Sequence, residues 1–251
     1  MYIYSCKRGW EDILTCIYEA WRSRRGHENI KLVFEPIEQY SLFDEYIHID
    51  GDMEKAGKVM HAVQTKISPY VYRKLAYASM AYEDDVMDVI YHVMILGFAY
   101  GPEVLNMVAY RDVMRFNEIC KRIGHEVNRF QEVTRFHDTG RGVYVAHIEP
   151  KSQMVVALGP IFQDRMPSEH FVIVDDVHRE AVIHPKDGEC ILKQLDDDEY
   201  QHLLQTEAMN DSYTDLWKIF FDTIAIKERA NARCQRNLFP LWARKHAVEF
   251  E

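Results

Sequence analysis

Apolar residues at the beginning of the chain follow first a strand pattern and then a helix pattern. The opening MYIYSC alternates and predicts a short strand. The apolar residues after it recur at the spacing of one helix face: Trp10, Ile13, Leu14, Ile17 and Trp21. RSRRGHE predicts a loop, and KLVFE and EYIHID predict two further strands. The sequence therefore predicts a small N-terminal β-α-β-β unit.

Helix-start signals define the middle of the chain. Side chains that cap helices, or a proline at the first helical position, come before each stretch with helical periodicity. The expected starts are Asp52 for a helix through Lys66, Ser68-Pro69, Asp84 or Asp85 for a buried apolar helix, and Gly101-Pro102 for a helix through about Phe130. This part of the chain is predicted to be helical throughout.

Strand patterns return after Phe130. EVTRFH and VYVAHIE are separated by DTGRG, which predicts a hairpin with a glycine-rich turn. A helix through Arg165 follows, which Gly159-Pro160 should kink or restart. FVIVDDV and EAVIHP predict two more strands before the C-terminal helices.

These patterns together predict an α+β fold. It consists of the small N-terminal β-α-β-β unit, a helical middle, and a mixed C-terminal sheet with closing helices. We expect two closely packed lobes, residues 1–126 and 127–251, or a single domain, because no obvious linker separates them.

The predicted hairpin offers a candidate binding surface. Because side chains alternate along a strand, Val133, Arg135 and His137 are expected on one face. A guanidinium beside aromatic residues suits phosphate contact and base stacking. The alternative is that Arg135 pairs with a nearby carboxylate, Glu132 or Asp138, on an ordinary solvated face.

Charge is distributed unevenly along this acidic chain, whose formal net charge is −10. The stretch Asp175–Asp215 has twelve Asp and Glu against three Lys and Arg, whereas Lys227–His246 has six Lys and Arg against one Glu. Arg229, Arg233 and Arg236 would form a positive stripe on a helix. Basic surfaces are therefore compatible with the net charge, and the acidic stretch could equally neutralise them within the molecule.

No complete catalytic or cofactor motif is present. The GRG turn lacks the third glycine and the following helix of a dinucleotide site, and Walker A, H-E-x-x-H and G-x-S-x-G patterns are absent. Asp175 and Asp176 end a strand and could hold Mg²⁺ with Asp164 or Glu180, but adjacent strand residues point to opposite faces. We expect no cofactor and no metal.

The five scattered cysteines are typical of free thiols in a reducing cytoplasm. MYIYSCKRGW lacks the pattern of a signal peptide, and no apolar run is long enough to span a membrane. We therefore expect a cytoplasmic protein without a membrane contact.

Several segments resemble an uncharacterised bacterial family whose members are described as DNA metabolism or DNA repair proteins. The segments are MYIYSCKRGWEDILTCIYEAW, NRFQEVTRF, GVYVAHIEP, FQDRM and FVIVDDVHREAVIHP. The most specific matches are Arg135-Phe136, the stretch Tyr144–Pro150, and Asp176 with Arg179, and Phe162 and Arg165 match the family's aromatic and arginine after the helix proline. The resemblance implies a link to DNA. It also implies a protein partner, because family genes lie beside one for a radical-SAM protein thought to modify DNA, and a related domain is fused to uracil-DNA-glycosylase-like domains.

Three hypotheses about function follow. The first is a DNA-binding accessory to a separate repair or modification enzyme, with these residues on the DNA: Arg129, Arg135, Phe136, Arg141, Tyr144, His147, Arg165 and Arg179. The second is an enzyme acting on DNA, a hydrolase or a base-excision activity, through Asp164, Asp175, Asp176 or His147. The third is an interaction protein that binds only a protein partner through the tail Trp217–Trp242.

Overall fold

The chain folds into two compact units in a computed structural model, Met1–Ile123 and Gly124–Glu251. The structure describes residues 1–207, 212–226, 228 and 231–250. It combines α-helices with a parallel N-terminal sheet and a mixed C-terminal sheet, which confirms the predicted α+β fold.

A three-stranded parallel sheet forms the centre of the first unit. Its strands are β1 (Tyr2–Cys6), β2 (Ile30–Phe34) and β3 (Glu45–His48), and β1 lies between the other two. Helix α1 (Trp10–Arg22) connects β1 to β2 and buries the face that the apolar spacing predicts, including Ile13 and Ile17. The β-α-β-β prediction is confirmed for this unit.

Four further helices follow in the first unit. They are α2 (Met53–Lys66), α3 (Pro69–Ala78), α4 (Val86–Tyr100) and the beginning of α5 (Arg111–Val133). Asp52 and Ser68 cap α2 and α3 through their side chains, as predicted. Asp85 occupies the N-cap position of α4, but its carboxylate binds the Arg115 guanidinium instead, at 2.7 and 2.8 Å.

The helix expected to start at Gly101-Pro102 begins later. Gly101–Asn106 is a 3₁₀ helix, and the chain then turns through Met107 and Tyr110 before α5 starts at Arg111. A proline fits the first turn of an α-helix or a 3₁₀ helix. The Gly101-Pro102 signal therefore marks the start of the 3₁₀ helix and not the start of α5.

The second unit is built on a five-stranded mixed sheet with the order β4-β5-β6-β7-β8. The strands are β4 (His137–Asp138), β5 (Val143–Ile148), β6 (His170–Asp175), β7 (Glu180–His184) and β8 (Ile191–Gln194). β5 and β6 are parallel and the other pairs are antiparallel. Helix α6 (Val155–Arg165) is the crossover that a parallel pair requires, and it contains Pro160.

The predicted strand EVTRFH is largely wrong. Helix α5 continues to Val133 because its buried face, which includes Val127 and Phe130, keeps a helical spacing. Only His137 and Asp138 pair with β5, so the hairpin is two residues long on this side. Its turn is as expected: Gly140 and Gly142 have φ values of 71° and 73°, which glycine adopts without strain.

The C-terminal helices are α7 (Asp197–Glu207), α8 (Ser212–Ile224) and α9 (Ala232–Leu238). Arg233 and Arg236 of the predicted basic stripe lie on α9, and Arg229 lies outside the described residues. All five cysteines are free. Within the described part of the chain, no single helix is both long and apolar enough to cross a bilayer, and one bent pair, Val86–Asn106 with Arg111–Val133, meets that test only when counted together.

A buried carboxylate positions the loop that follows β5. Glu126 of α5 accepts hydrogen bonds from the Lys151 backbone N–H at 2.7 Å and from the Ser152 hydroxyl at 2.8 Å. Both Glu126 and Ser152 are buried, so these bonds replace the water that the carboxylate loses. The loop after β5 is therefore held against α5 by one side chain.

We expect Glu126→Ala to lower the free energy of unfolding by about 2–3 kcal/mol, because it leaves buried donors of the loop without an acceptor. Urea unfolding followed by circular dichroism measures this difference. Glu132→Ala, at an exposed position of the same helix, is the control and should change stability by less than about 0.5 kcal/mol. Equal effects of the two substitutions would contradict the role assigned to Glu126.

Candidate functional site

The parallel pairing of β5 and β6 brings polar residues together at the carboxyl ends of the two strands. In the register, His147 pairs with Val174 and Ile148 pairs with Asp175. The next residue, Asp176, donates its backbone N–H to the Ile148 carbonyl at 3.0 Å. Carboxyl ends of neighbouring parallel strands are a common place for ligand sites. His147, Glu149 and Asp176 meet at this edge of the sheet.

His147 and Asp176 form a buried pair. His147 Nδ1 lies 2.9 Å from Asp176 Oδ1, and the two side chains are 0% and 6% exposed. A carboxylate oxygen beside Nδ1 favours the tautomer that has its proton on Nδ1 and the lone pair on Nε2. That Nε2 is buried and has no hydrogen-bond partner among the described residues. Such a carboxylate-oriented imidazole is suited to accepting a proton or a donor hydrogen bond.

His246 and Glu149 complete the cluster. His246 Nε2 lies 3.4 Å from Asp176 Oδ2 and 3.8 Å from Glu149 Oε1, and Lys245 Nζ is in contact with Glu149 Oε1. We call His147, Glu149, Asp176 and His246 the His–carboxylate cluster. The arrangement assembles two carboxylates and two imidazoles from three separated parts of the sequence.

A small cavity adjoins the cluster. Its lining includes His147, Glu149, His246, Lys245 and Trp242, and it offers about 10 Å³ of space for the centre of a water molecule. That is about the room that one water molecule or one ion needs.

Tyr200 borders Asp176 from helix α7. Burial, followed by the negative charge of Asp176 and a hydrogen bond to it, raises the pKa of Tyr200 to about 12. Tyr200 therefore remains a neutral hydrogen-bonding neighbour of Asp176 at physiological pH.

The carboxylates considered, and not favoured, as Mg²⁺ ligands do not converge in the described residues. In the residues the structure describes, the group of His, Cys, Asp and Glu side chains with ligand atoms within 4.8 Å of one another is Glu149, Asp176 and His246. Asp164, Asp175 and Glu180 are not members of it. Only Asp176 of the predicted carboxylates belongs to a possible metal site.

Asp175 stabilises the turn between β6 and β7 through hydrogen bonds. It is fully buried and accepts the backbone N–H groups of Val177 and His178 at 3.0 Å and His178 Nδ1 at 2.7 Å. Burial by itself lowers the pKa of His178, but the hydrogen bond and charge of Asp175 raise it above its ordinary value. Asp175 thus supports the turn that carries Asp176 and Arg179.

Basic and aromatic side chains surround Trp242 beside the cavity. The Arg129 guanidinium lies 5.4 Å and the Lys151 ammonium 5.3 Å from the centre of the Trp242 ring, and Phe130 packs on that ring at 5.9 Å. Lys245 and Trp242 line the cavity together. We call Arg129, Lys151, Trp242 and Lys245 the Trp242 patch. It places two cations near one indole ring and a third on the adjoining cavity, a combination that suits phosphate contact with base stacking.

Arg135, expected on the binding face, has an internal partner. Its Nη2 lies 2.6 Å from Glu249 Oε1, its Nη1 donates to the Glu132 carbonyl at 2.9 Å, and its guanidinium lies 5.1 Å from the Trp217 ring centre. The two charged side chains are 25% and 3% exposed. The carboxylate that Arg135 binds is that of Glu249, 114 residues away, and Glu132, one of the two partners considered in the alternative, accepts through its backbone carbonyl. Arg135 ties the end of α5 to the tail.

The other predicted contact residues are spread over different surroundings. Phe136 packs against Phe162 and Phe171 with ring centres 5.1 and 5.7 Å apart. Arg165 is exposed and donates to the Gln131 carbonyl at 3.1 Å. Of the residues predicted to contact DNA, the structure brings Arg129 to the Trp242 patch and His147 to the His–carboxylate cluster.

The remaining three lie on loops or at strand positions. Arg141 is exposed in the glycine turn, and Tyr144 is half-buried on β5 opposite Asp138. Arg179 has a left-handed φ of 58°, which is uncommon outside glycine, and its guanidinium lies 3.5 Å from the Tyr200 ring centre. Its backbone is held on both sides, by the Asp175 carbonyl and the Leu195 N–H.

Sequence reasoning missed Glu149, Lys151, Lys245 and His246 as site residues. One signal was available: VYVAHIE, a helix, and FVIVDD form a strand-helix-strand unit, which predicts a parallel pair with its carboxyl ends side by side. No comparable signal exists for His246, because it comes from an irregular segment after the 3₁₀ helix Leu241–Ala243.

Fold and site define an α+β protein with a partly buried His–carboxylate cluster beside a basic and aromatic patch. The model of a family described as a domain of unknown function, DUF4130, matches residues 84–249, about two thirds of the chain. The chain belongs to this family, and both the cluster and the patch lie in the matched part. No curated protein matches the sequence.

We expect the Arg135–Glu249 pair to make stability depend on acid pH. Burial by itself raises the pKa of Glu249, but Arg135 holds it below its ordinary value. A depressed pKa stabilises the fold above the unfolded-state pKa of about 4.3, and this stabilisation is lost as the pH falls through the lower folded-state pKa. Glu249→Gln should lower the free energy of unfolding by about 2 kcal/mol at pH 7.

Urea unfolding at a series of pH values tests this expectation. The difference between the wild type and Glu249→Gln should shrink as the pH falls below about 4. Glu132→Gln serves as the control at an exposed position and should give no such difference. A difference that is constant across this pH range would show that the charge of Glu249 is not what stabilises the tail.

Proposed function

We propose that this protein is a DNA-binding accessory to a separate DNA repair or DNA modification enzyme. The observation that carries the proposal is the Trp242 patch, in which Arg129 and Lys151 lie within 5.4 Å of one indole ring and Lys245 lies on the same cavity. Flexible cations beside an aromatic ring can neutralise phosphates while the ring stacks on an unpaired base.

Two further points support a link to DNA. The resemblance of the chain to proteins described in DNA metabolism and repair rests on segments that include β5 and the end of β6, next to the patch. The acidic net charge does not oppose it, because half of the patch comes from the basic stretch Lys227–His246. Partners of the kind the resemblance implies, a radical-SAM or glycosylase-type protein, would supply the chemistry.

We expect Arg129→Gln/Lys151→Gln to weaken binding to single-stranded DNA about 10-fold or more at 100 mM salt and to reduce the log–log salt slope by about 1–2, because each lost phosphate contact releases one fewer counterion. Fluorescence anisotropy with labelled single-stranded and duplex DNA measures both quantities. Trp242→Ala should weaken single-stranded binding more than duplex binding, since only unpaired bases are free to stack.

Lys186→Gln/Lys193→Gln is the matched control, because it removes two positive charges from the same unit at exposed positions outside the patch. It should leave the affinity within about 2-fold, as expected for the loss of long-range attraction alone. Absence of DNA binding by the wild type at 100 mM salt, or equal losses in both double variants, would overturn the assignment of the patch.

The same mixtures of protein and DNA also distinguish a DNA-binding accessory from an enzyme that acts on DNA. The His147–Asp176 pair is the feature that favours it, because its imidazole is oriented by a carboxylate. Denaturing gels of the DNA after incubation report strand cleavage, with a base-release assay beside them. Strand cleavage or base release that is abolished by Asp176→Asn would show that the protein is an enzyme acting on DNA and not an accessory.

A protein-binding surface is the second candidate function, favoured by the exposed apolar face of α8. Leu216, Ile219, Phe220 and Ile224 are each more than half exposed, and the helix borders a cavity of about 430 Å³ lined by Trp217, Phe136 and Val248 among others. Apolar side chains grouped in this way on one helix are typical of a protein interface.

We expect Ile219→Lys/Phe220→Lys to abolish co-purification with a co-expressed radical-SAM partner, because two buried charges would oppose the interface. Leu42→Lys/Phe43→Lys replaces an even more exposed apolar pair in the first unit and should leave co-purification unchanged. Loss of the partner in both variants, or in neither, would argue against α8 as the contact surface.

A further inference from the structure

We propose that Glu149, Asp176 and His246 bind one divalent metal ion of the borderline class, with Zn²⁺ as the best-fitting example. Two carboxylate oxygens and one imidazole nitrogen form a donor set that Zn²⁺ and Mn²⁺ accept, and three protein ligands leave a position open for water. This inference does not depend on the binding of DNA.

The distances between the donor atoms fit a shared ion. Ligand atoms around a tetrahedral Zn²⁺ at about 2.0–2.1 Å are separated by roughly 3.3–3.4 Å. His246 Nε2 lies 3.4 Å from Asp176 Oδ2 and 3.8 Å from Glu149 Oε1. One ligand atom from each of the three residues lies within 4.8 Å of the other two, so a shared ion requires the side chains to close in by roughly 1–1.5 Å.

His147 is an independent observation that points to a ligand. Its side chain is fully buried, it lines the small cavity together with Glu149 and His246, and its Nε2 has no hydrogen-bond partner among the described residues. A buried acceptor without a donor is costly, and the cavity beside the three candidate ligands has room for about one water molecule. A water bound at the open position of the metal would supply the missing donor.

His147 also orients a ligand. Its Nδ1 binds Asp176 Oδ1, while Asp176 Oδ2 faces His246. Hydrogen bonds of this outer kind hold metal ligands in position and typically change affinity 10- to 100-fold when they are lost. The cluster thus contains three candidate ligands and one positioning residue.

Lys245 is the competitor for this site. Its ammonium contacts Glu149 Oε1, and it must move away for the oxygen to reach a metal ion. The chemistry without metal is also coherent, because a protonated His246 could bridge the two carboxylates. A metal titration distinguishes the two arrangements. If the cluster is a metal site, Zn²⁺ binds and its affinity increases when Lys245 is removed; if His246 bridges the carboxylates, no Zn²⁺ binds in either protein.

Isothermal titration of the full chain with ZnCl₂, after treatment with a chelator, tests the proposal. We expect one Zn²⁺ per chain, at least a 100-fold loss of affinity in Asp176→Asn and in His246→Gln, a smaller loss of about 10-fold in His147→Gln, and a gain in Lys245→Met. Co²⁺ provides a second readout, because a low-coordinate N/O site gives visible absorption bands that these ligand variants should remove.

Asp164→Asn and His202→Gln remove a carboxylate and an imidazole at exposed positions of the same unit and should leave the affinity unchanged. Circular dichroism confirms folding, and Glu149→Gln provides a further ligand variant if Asp176→Asn does not fold. Absence of Zn²⁺ binding would overturn the proposal. Binding that survives in the ligand variants but disappears in Cys234→Ser, which removes the exposed thiol, would also overturn it.

Discussion

The parallel pairing of β5 with β6 is the constraint on which the candidate site depends. It aligns the carboxyl ends of the two strands, so that His147 and Asp176, 29 residues apart in sequence, are neighbours at one edge of the sheet. Helix α6 makes this possible, because a parallel pair cannot be closed by a tight turn. An antiparallel pairing would direct these two ends to opposite edges and remove the cluster.

Buried polar groups near the carboxyl ends of β5 and β6 form hydrogen bonds or ion pairs, and each of these interactions positions one segment of the chain. Glu126 holds the loop after β5, Asp175 holds the turn after β6, and Arg135 with Glu249 holds the tail. Because a buried charge without a partner costs several kcal/mol, each pair restricts its segment to one arrangement. The Nε2 of His147, which has no hydrogen-bond partner in the described part of the chain, is an exception to this pattern, and exceptions of this kind occur at functional sites.

The arginines predicted to contact DNA have different partners in the folded chain, because those partners come from distant parts of the sequence. Arg135 and Arg129 are both near the end of α5, six residues apart, and both were expected to be available. Arg135 meets Glu249 and Arg129 meets Trp242, and both partners come from the tail more than 100 residues later. Local sequence shows which side chains carry charge but not which of them find an opposite charge after folding.

The sequence by itself determined the helices α1 to α4, the strands β1 to β3 and β5 to β7, the two side-chain caps and the glycine turn. These features depend on apolar periodicity and on backbone preferences over a few residues. It misplaced the end of α5 because EVTRFH can alternate as a strand, while the buried face of the helix extends further. Only the tertiary structure decided that Asp175 serves the turn, and that His246, Trp242 and Lys245 return to the carboxyl ends of β5 and β6. The reason is that such contacts join residues up to 114 positions apart, and their free energy comes from shared burial and complementary charge that no local pattern contains.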